Sequence, residues 1–152
     1  GLIIMLIVVA ASASSLNLNF GNALLVLTRS EPLFDSAEMI KAMNWLKENS
    51  DSRATIFTSE KTGNVIPARI GHRVYLGHPV ETANYELKVA QVNRFFSTMS
   101  EDERLSVLRE CACRFVFYGA NERALGSFNV DKANYLKRVY QSSDAIVYEV
   151  MR

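Results

Sequence analysis

The sequence contains few residues of the kinds that usually mark a reactive site. Its 152 residues include two histidines and two cysteines, and no dinucleotide loop or phosphate loop occurs among its seven glycines. A serine nucleophile elbow and a His-Glu-x-x-His metal helix are also missing. No motif therefore identifies a reaction, and we predict no cofactor.

Charge is missing from the beginning of the sequence, where the first Asp, Glu, Lys or Arg is Arg29. Residues 2–11 are apolar throughout, but a bilayer takes about 20 such residues to cross. Three interpretations stay open: a truncated membrane helix, a signal-peptide core, and a buried element of the soluble fold. Because the chain starts at Gly1 rather than Met, we expect a processed piece, with an apolar leader at 1–28 and a soluble α/β domain at 29–152.

An excess of either charge is also missing, since 17 Lys and Arg balance 16 Asp and Glu. This balance gives no electrostatic reason to bind nucleic acid or an acidic membrane surface. Apolar residues make up 49% of the chain, which is enough to form one hydrophobic core. We therefore expect an ordinary globular domain with no nucleic-acid partner.

Short β-branched segments alternate with helical patterns along the rest of the chain. Strands are predicted at 54–58, 73–76 and 115–118, and the end of the chain, 138–150, reads as a hairpin. The clearest helix carries its apolar stripe on Tyr85, Val89, Val92, Phe96 and Met99. This alternation predicts a Rossmann-like three-layer α/β sandwich, with a mostly parallel sheet and a C-terminal antiparallel hairpin.

Capping residues predict where the helices begin. The predicted N-caps are Asp35 with Glu38, Gly63-Asn64, Thr82, Ser100 with Glu103, and Asp131. Pro67 would lie in the first turn of a short helix that Gly71 ends. The helix after Asp131 would contain Tyr135 and Leu136.

The stretch from Thr62 to Thr82 holds both histidines, three glycines and two prolines, and is the best candidate for a binding site. It follows a predicted strand, where the ligand loops of open α/β sheets lie, and its backbone N–H groups could hold an anion. The candidate ligand residues are Ser59, Thr62, Gly63, Asn64, His72, His78, Glu81 and Thr82. The alternative is that these residues only build tight turns.

The titratable candidates are weak. His72 and His78 flank a predicted strand and would lie about 20 Å apart, so we predict no metal site. Glu81 beside His78 could be an acid/base pair, but the helix dipole already explains a carboxylate at a helix start, as it does for Glu122. Cys111 and Cys113 are two positions apart, with Ala112 alone between them, which is neither a zinc spacing nor the Cys-x-x-Cys redox spacing. So small a disulfide ring would be strained, and both are therefore predicted to be buried free thiols.

A series of motifs over about residues 35–150 resembles a known family. The motifs are Trp45-Leu46-Lys47-Glu48-Asn49, Ile56-Phe57-Thr58, Thr62-Gly63-Asn64-x-Ile66-Pro67-Ala68, Gly71-His72-Arg73-Val74-Tyr75-Leu76-Gly77-His78, Glu81-Thr82-x-Asn84-Tyr85, Phe95-Phe96 and Phe115-Val116-Phe117-Tyr118-Gly119, continuing to Gly126 and the last strand. In order, they resemble the C-terminal soluble domain of bacterial polytopic membrane proteins similar to C-superfamily, mannosyltransferase-like glycosyltransferases.

The resemblance implies a membrane-anchored domain on the extracytoplasmic face of the bacterial cell envelope, with the leader as the remnant of the last transmembrane helix. In that class a polyprenyl-phosphate donor supplies the sugar, and the catalytic acids lie in loops near the N-terminus. The resemblance therefore implies no catalytic residue in this chain. The implied partners are the remainder of the parent protein and, through it, a polyprenyl-linked sugar or glycan acceptor.

Two other functions remain open at the level of sequence. The chain could be a stand-alone small-molecule or nucleotide-binding module, with its site around Ser59 to Asn64 and Gly119 to Asn121. It could also be a structural domain that dimerises through the apolar leader.

Overall fold

The computed structural model of the chain describes residues 36–151. The predicted leader at 1–28 and the predicted N-cap Asp35 lie outside the described residues. Within residues 36–151 no helix is both long enough and apolar enough to cross a membrane.

Eleven elements make up the described fold. The helices are α1 (Ala37–Asn49), α2 (Glu60–Ile70), α3 (Tyr85–Phe96), α4 (Glu101–Glu110) and α5 (Ala120–Arg123), with a 3-10 turn at Val130–Lys132. The strands are β1 (Thr55–Phe57), β2 (Arg73–Val74), β3 (Cys113–Tyr118), β4 (Leu136–Gln141) and β5 (Ile146–Val150).

The strands form one five-stranded sheet in the order β2-β1-β3-β5-β4. β1 is parallel to both β2 and β3, whereas β5 is antiparallel to both β3 and β4. The predicted α/β class and the C-terminal hairpin are thus confirmed. The sheet is mixed rather than mostly parallel, because the tight turn from Ser142 to Ala145 folds β5 back between β3 and β4.

Hydrophobic cores lie on both faces of the sheet, because successive strand residues point in opposite directions. In β1, Ile56 belongs to the core that packs against α1 and α2, and Phe57 to the core that packs against α3 and α4. In β3, Val116 points to the second core and its neighbour Phe117 to the first. The described elements therefore stack in three layers, with helices on both sides of the sheet.

The beginning of α2 was predicted wrongly. The helix starts after Ser59, whose side chain accepts a hydrogen bond from Thr62 N, and not at Gly63. Pro67 consequently lies in the helix interior, where its missing N–H leaves the carbonyl of Gly63 without its helical partner. The predicted end is correct, since Gly71 adopts the left-handed conformation with φ of 73°.

The predicted cap of α3 is also wrong. Asn84, in the left-handed conformation with φ of 55°, precedes the helix and makes no side-chain capping bond. The hydroxyl of Thr82 is already occupied, because its Oγ1 accepts a hydrogen bond from Gly77 N at 3.1 Å. The apolar stripe does face the core: Val92, Phe96 and Met99 are buried, and Tyr85 and Val89 pack against it.

The capping box at the start of α4 is confirmed. The backbone N–H of Ser100 donates to Glu103 Oε2 at 2.8 Å, and the N–H of Glu103 donates to Ser100 Oγ. These two bonds satisfy N–H groups that have no partner within the helix.

Asp131 does not begin an α-helix, and Leu136 starts β4. The carboxylate of Asp131 accepts hydrogen bonds from Tyr148 Oη at 2.7 Å and from the guanidinium of Arg138. These long-range partners hold the chain beside β5, where Leu136 pairs with Val150. Tertiary contacts thus override the local capping signal.

Cys111 and Cys113 form a disulfide, which corrects the prediction of free thiols. Between them Ala112 has φ of 48°, in the left-handed region, where the chain turns from α4 into β3. This turn brings the two Cα atoms to 5.1 Å, a separation that a disulfide can span. The prediction failed because it assumed an ordinary backbone at residue 112.

Candidate functional site

The eight predicted ligand residues fall into two neighbourhoods. Ser59 and Thr62 follow β1 and are 3% and 0% exposed. They belong to what we call the carboxyl-end cluster, formed by Thr58, Ser59, Thr62, Gly119 and Glu122. The other six, Gly63, Asn64, His72, His78, Glu81 and Thr82, line an open groove beside the edge strand β2, which we call the β2 groove.

Glu122 is the centre of the carboxyl-end cluster and is fully buried. Its Oε1 accepts hydrogen bonds from Thr58 Oγ1 at 2.7 Å, from Ser59 N at 3.0 Å and from Ser59 Oγ at 2.5 Å. Its Oε2 accepts one from Gly119 N at 2.8 Å. Four donors from two neighbouring parallel strand ends and the α2 cap thus converge on one carboxyl group.

This cluster occupies the place where open α/β sheets usually bind anions. Backbone N–H groups at a helix start and at the carboxyl ends of parallel strands commonly hold an external phosphate or carboxylate. Here the side chain of Glu122 takes that position. Thr62 is tied in as well, since Asn121 Nδ2 donates to its Oγ1 at 3.3 Å. The cluster is therefore closed, and its donors are directed inward.

Sequence reasoning missed this role of Glu122. The helix dipole already explained why a carboxylate occurs at the start of a helix, so no sequence pattern indicated that Glu122 would be buried. The available signal is the pairing of Gly119-x-x-Glu122 after one strand with Thr58-Ser59 after another. That signal becomes readable only once β1 and β3 are known to be parallel neighbours.

The β2 groove has a volume of about 1060 Å³. α2 contributes one wall, the segment between β2 and α3 contributes the other, and Thr55, Arg73 and Val74 lie between them. The size suits a small organic ligand, since such pockets usually measure about 300–1,000 Å³.

Two glycines bring the walls of the groove together at its base. A Cβ on Gly63 would lie 1.9 Å from the backbone oxygen of Leu76, and one on Gly77 would lie 3.2 Å from the oxygen of Gly63. α2 and the segment after β2 therefore touch backbone to backbone. Any side chain at position 63 would push the walls apart.

The edge strand offers backbone groups to the groove side. Arg73 N donates to Ser52 O and Tyr75 N donates to Ile56 O, so both point toward the interior of the sheet. Because alternate residues of a strand point their backbone groups in opposite directions, the N–H and C=O of Val74 face the side of β2 on which no described strand pairs.

The loop after β2 holds its polar side chains in place through backbone contacts. Val80 N donates to His78 Nδ1 at 3.4 Å, which makes Nδ1 the acceptor and leaves Nε2 as the N–H donor. Thr82 accepts from Gly77 N, and its own hydroxyl proton remains available. His78 and Glu81 are exposed on this loop.

His72 is a structural residue of the groove wall. Its ring is 2% exposed, with Nε2 at 2.9 Å from Ser50 Oγ and Nδ1 at 3.2 Å from Ile70 O. These contacts join the ends of α1 and α2. His78 differs from His72, because its side chain is exposed on the loop after β2.

Two cations line the groove without a carboxylate partner among the described residues. Arg73 is exposed, and Lys88 Nζ lies 4.8 Å from the ring centroid of Tyr75. The hydroxyl of Tyr75 donates to Gln91 Oε1. Burial, and secondarily the negative charge of Glu110, raise the pKa of Tyr75, so its hydroxyl stays protonated near neutral pH.

The lining of the β2 groove offers polar and charged groups that can bind a ligand. Among residues 36–151, no group of three or more His, Cys, Asp or Glu side chains could hold a metal ion. Glu81 is the carboxylate that lines the groove, and the buried Glu122 already accepts four hydrogen bonds. The β2 groove therefore presents donors, two cations and one carboxylate to solvent.

Neither a protein-family model nor a curated protein sequence matches the chain. A solved structure does: the C-terminal globular domain of an oligosaccharyltransferase from Archaeoglobus fulgidus superposes with a TM-score of 0.59. The match covers 76% of this chain and 98% of that domain, at 13% sequence identity. At this identity the likeness establishes a shared fold, and the chain is thus similar in fold to an oligosaccharyltransferase C-terminal domain.

Proposed function

We propose that the chain is a non-catalytic C-terminal domain of an integral membrane protein that resembles the C-superfamily, mannosyltransferase-like glycosyltransferases of bacteria. The observation that carries the proposal is the fold likeness, which spans nearly the whole C-terminal globular domain of an oligosaccharyltransferase. In this proposal the parallel β1-α2-β2 unit is the Rossmann-like part of the domain.

The state of the carboxyl-end cluster supports a non-catalytic role. An acid or base must reach the proton that it transfers, whereas Glu122 is fully buried and bonded to its own protein. Glu81, in contrast, is exposed on a loop with His78.

The disulfide supports a location outside the cytoplasm. Disulfides persist in oxidising compartments such as the bacterial periplasm and are rare in the cytosol. The bond between Cys111 and Cys113 would therefore suit an extracytoplasmic domain. Its partners would be the remainder of the parent protein and, through the parent, a polyprenyl-linked sugar or glycan acceptor, with residues 1–28 as the remnant of the last transmembrane helix.

The alternative of a nucleotide-binding module loses its expected site. That site would use the backbone N–H groups from Ser59 to Asn64 and from Gly119 to Asn121, and Glu122 already occupies two of them. The alternative of a domain that dimerises through its leader depends on residues outside the described range.

The gene and its topology test the proposal together. The reading frame upstream of Gly1 should encode a long series of apolar segments, and a start codon immediately before Gly1 would contradict this. Alkaline phosphatase fused after Arg152 of the full-length parent should be active in a bacterial host, because the enzyme folds only outside the cytoplasm. A matched green fluorescent protein fusion should stay dark. The reverse pattern would place the domain in the cytoplasm.

A further inference from the structure

We propose that the β2 groove binds a phosphorylated saccharide. The ligand is assigned from the side chains of the groove alone, and it adds to the proposed function without depending on it. A failure of the ligand titration would therefore leave the proposed membrane topology untouched, and a failure of the fusion experiment would leave the proposed ligand untouched.

The cations of the groove carry the phosphate part of the proposal. Arg73 and Lys88 line one cavity, and neither forms an ion pair with another described residue. Other cations of the described residues are held against a carboxylate, as Arg114 is by Glu149. Charge-assisted hydrogen bonds to phosphate are about twice as strong as neutral ones, so two unpaired cations favour an anionic ligand.

The other polar groups of the groove carry the saccharide part. Asn64 is exposed in the groove and offers both an amide N–H₂ and a carbonyl. His78 Nε2 and the hydroxyl of Thr82 add donors, and Glu81 adds an acceptor. A sugar hydroxyl donates and accepts at once, so this mixture matches a hydroxyl-rich group better than a bare phosphate.

The size and openness of the groove agree with this ligand class. A volume of about 1060 Å³ far exceeds what a lone phosphate would fill. Among the described residues β2 pairs with β1 alone, so the groove also opens along the other side of β2, which the backbone N–H of Val74 faces. A sugar with further residues attached could therefore extend out of the groove.

The first experiment titrates the full 152-residue chain with glucose 1-phosphate, glucose and inorganic phosphate, observed by amide NMR and calorimetry. Glucose 1-phosphate should bind saturably and shift the resonances of Asn64, Gly77 and Val80. Glucose and inorganic phosphate should each bind at least about tenfold more weakly, because each lacks one half of the interactions. Equal binding of glucose and glucose 1-phosphate, or no saturable binding, would overturn the proposal.

A charge-matched pair of variants locates the phosphate. Arg73→Gln with Lys88→Gln should weaken glucose 1-phosphate binding about tenfold or more. The control, Lys132→Gln with Lys137→Gln, removes the same charge from exposed positions away from the β2 groove and should leave the affinity unchanged. Increasing salt should weaken binding by the wild type much more than by the groove variant. Equal affinities for both double variants, with unchanged circular dichroism, would refute the assigned site.

Binding to vesicles distinguishes the two sources of such a ligand, a lipid headgroup and a soluble sugar phosphate. The chain is sedimented with vesicles of phosphatidylcholine alone and of equal parts phosphatidylcholine and phosphatidylinositol, whose headgroup joins a phosphate to a ring of hydroxyls. Binding to the second that glucose 1-phosphate displaces would indicate a lipid-borne saccharide. Binding of glucose 1-phosphate without vesicle binding would indicate a soluble one. Vesicle binding that survives Arg73→Gln with Lys88→Gln would contradict the groove as the site.

Discussion

The carboxyl-end cluster and the β2 groove use similar polar residues, but they differ in whether those residues are satisfied within the protein. In the cluster, Thr58, Ser59 and Gly119 all direct their donors at the buried Glu122. In the groove, the side chains of Asn64 and Arg73 are exposed and form no hydrogen bond or ion pair with another described residue. The cluster therefore holds the fold together, while the groove is free to bind.

The difference also concerns which part of an α/β sheet carries the binding site. Ligands of such sheets usually bind at the carboxyl ends of parallel strands. In this chain the position belongs to Glu122, and the open surface has moved to the edge strand β2. The position that such sheets usually use is thus filled by a side chain of the protein, while the open groove lies at the edge strand.

Removing the carboxylate of the cluster should have the largest effect. Glu122→Ala leaves four buried donors without an acceptor, so we expect the free energy of unfolding to fall by about 3–5 kcal/mol, as when one partner of a buried polar network is removed. Urea denaturation followed by circular dichroism measures this change.

Two controls sharpen that result. Glu122→Gln keeps one carbonyl acceptor and should lose less stability than Glu122→Ala. Glu48→Ala removes an exposed carboxylate from α1 and should change the free energy of unfolding by less than about 0.5 kcal/mol. Equal stabilities of Glu122→Ala and Glu48→Ala would show that the cluster does not hold the strand ends together.

A methyl group at the base of the groove should have the next largest effect. Gly63→Ala places a Cβ against the backbone oxygen of Leu76, which cannot rotate away, so we expect a loss of about 2 kcal/mol and weaker ligand binding. Gly71→Ala is the matched control, because its Cβ meets no atom within 4 Å and only the positive φ strains it. Its expected loss is about 1 kcal/mol, without a change in binding. Thermal and urea unfolding of both variants compares them.

Replacing Asp131 should have the smallest effect on stability, because this side chain is only half-buried. Hydrogen bonds from Tyr148 and Arg138 lower the pKa of this half-exposed carboxyl group. Its contribution to stability is therefore complete above the ordinary pKa and is lost as the pH falls through the lowered one. In Asp131→Asn the free energy of unfolding should fall less steeply as the pH is lowered, with a difference from the wild type of less than about 1 kcal/mol. Urea midpoints measured from pH 6 down to about pH 3 test this, and an unchanged slope would contradict it.

Sequence patterns predicted the elements whose signals are local. The stripe from Tyr85 to Met99 and the box of Ser100 with Glu103 were correct because neighbouring residues determine them. The predicted α2 start was wrong because Ser59, and not Gly63-Asn64, is the N-cap. The Asp131 cap and the free thiols were wrong because Asp131 bonds to Tyr148 and Ala112 adopts a positive φ.

The candidate site was predicted in part for the same reason. Glycine, proline and histidine spacing indicated the groove segment, and six of the eight chosen residues line one cavity. Arg73 and Lys88 were not chosen, because their shared position depends on how α3 packs beside β2. Glu122 was missed because its four donors come together only in the folded sheet.

Mapping one titration onto both regions tests the central contrast most directly. Glucose 1-phosphate is added to the isotope-labelled chain, and every amide resonance is followed. The account predicts saturable shifts at Asn64, Gly77 and Val80, with Ser59 and Gly119 unmoved. Shifts centred on Ser59 and Gly119 would mean that the carboxyl-end cluster opens to ligands, and they would contradict the account.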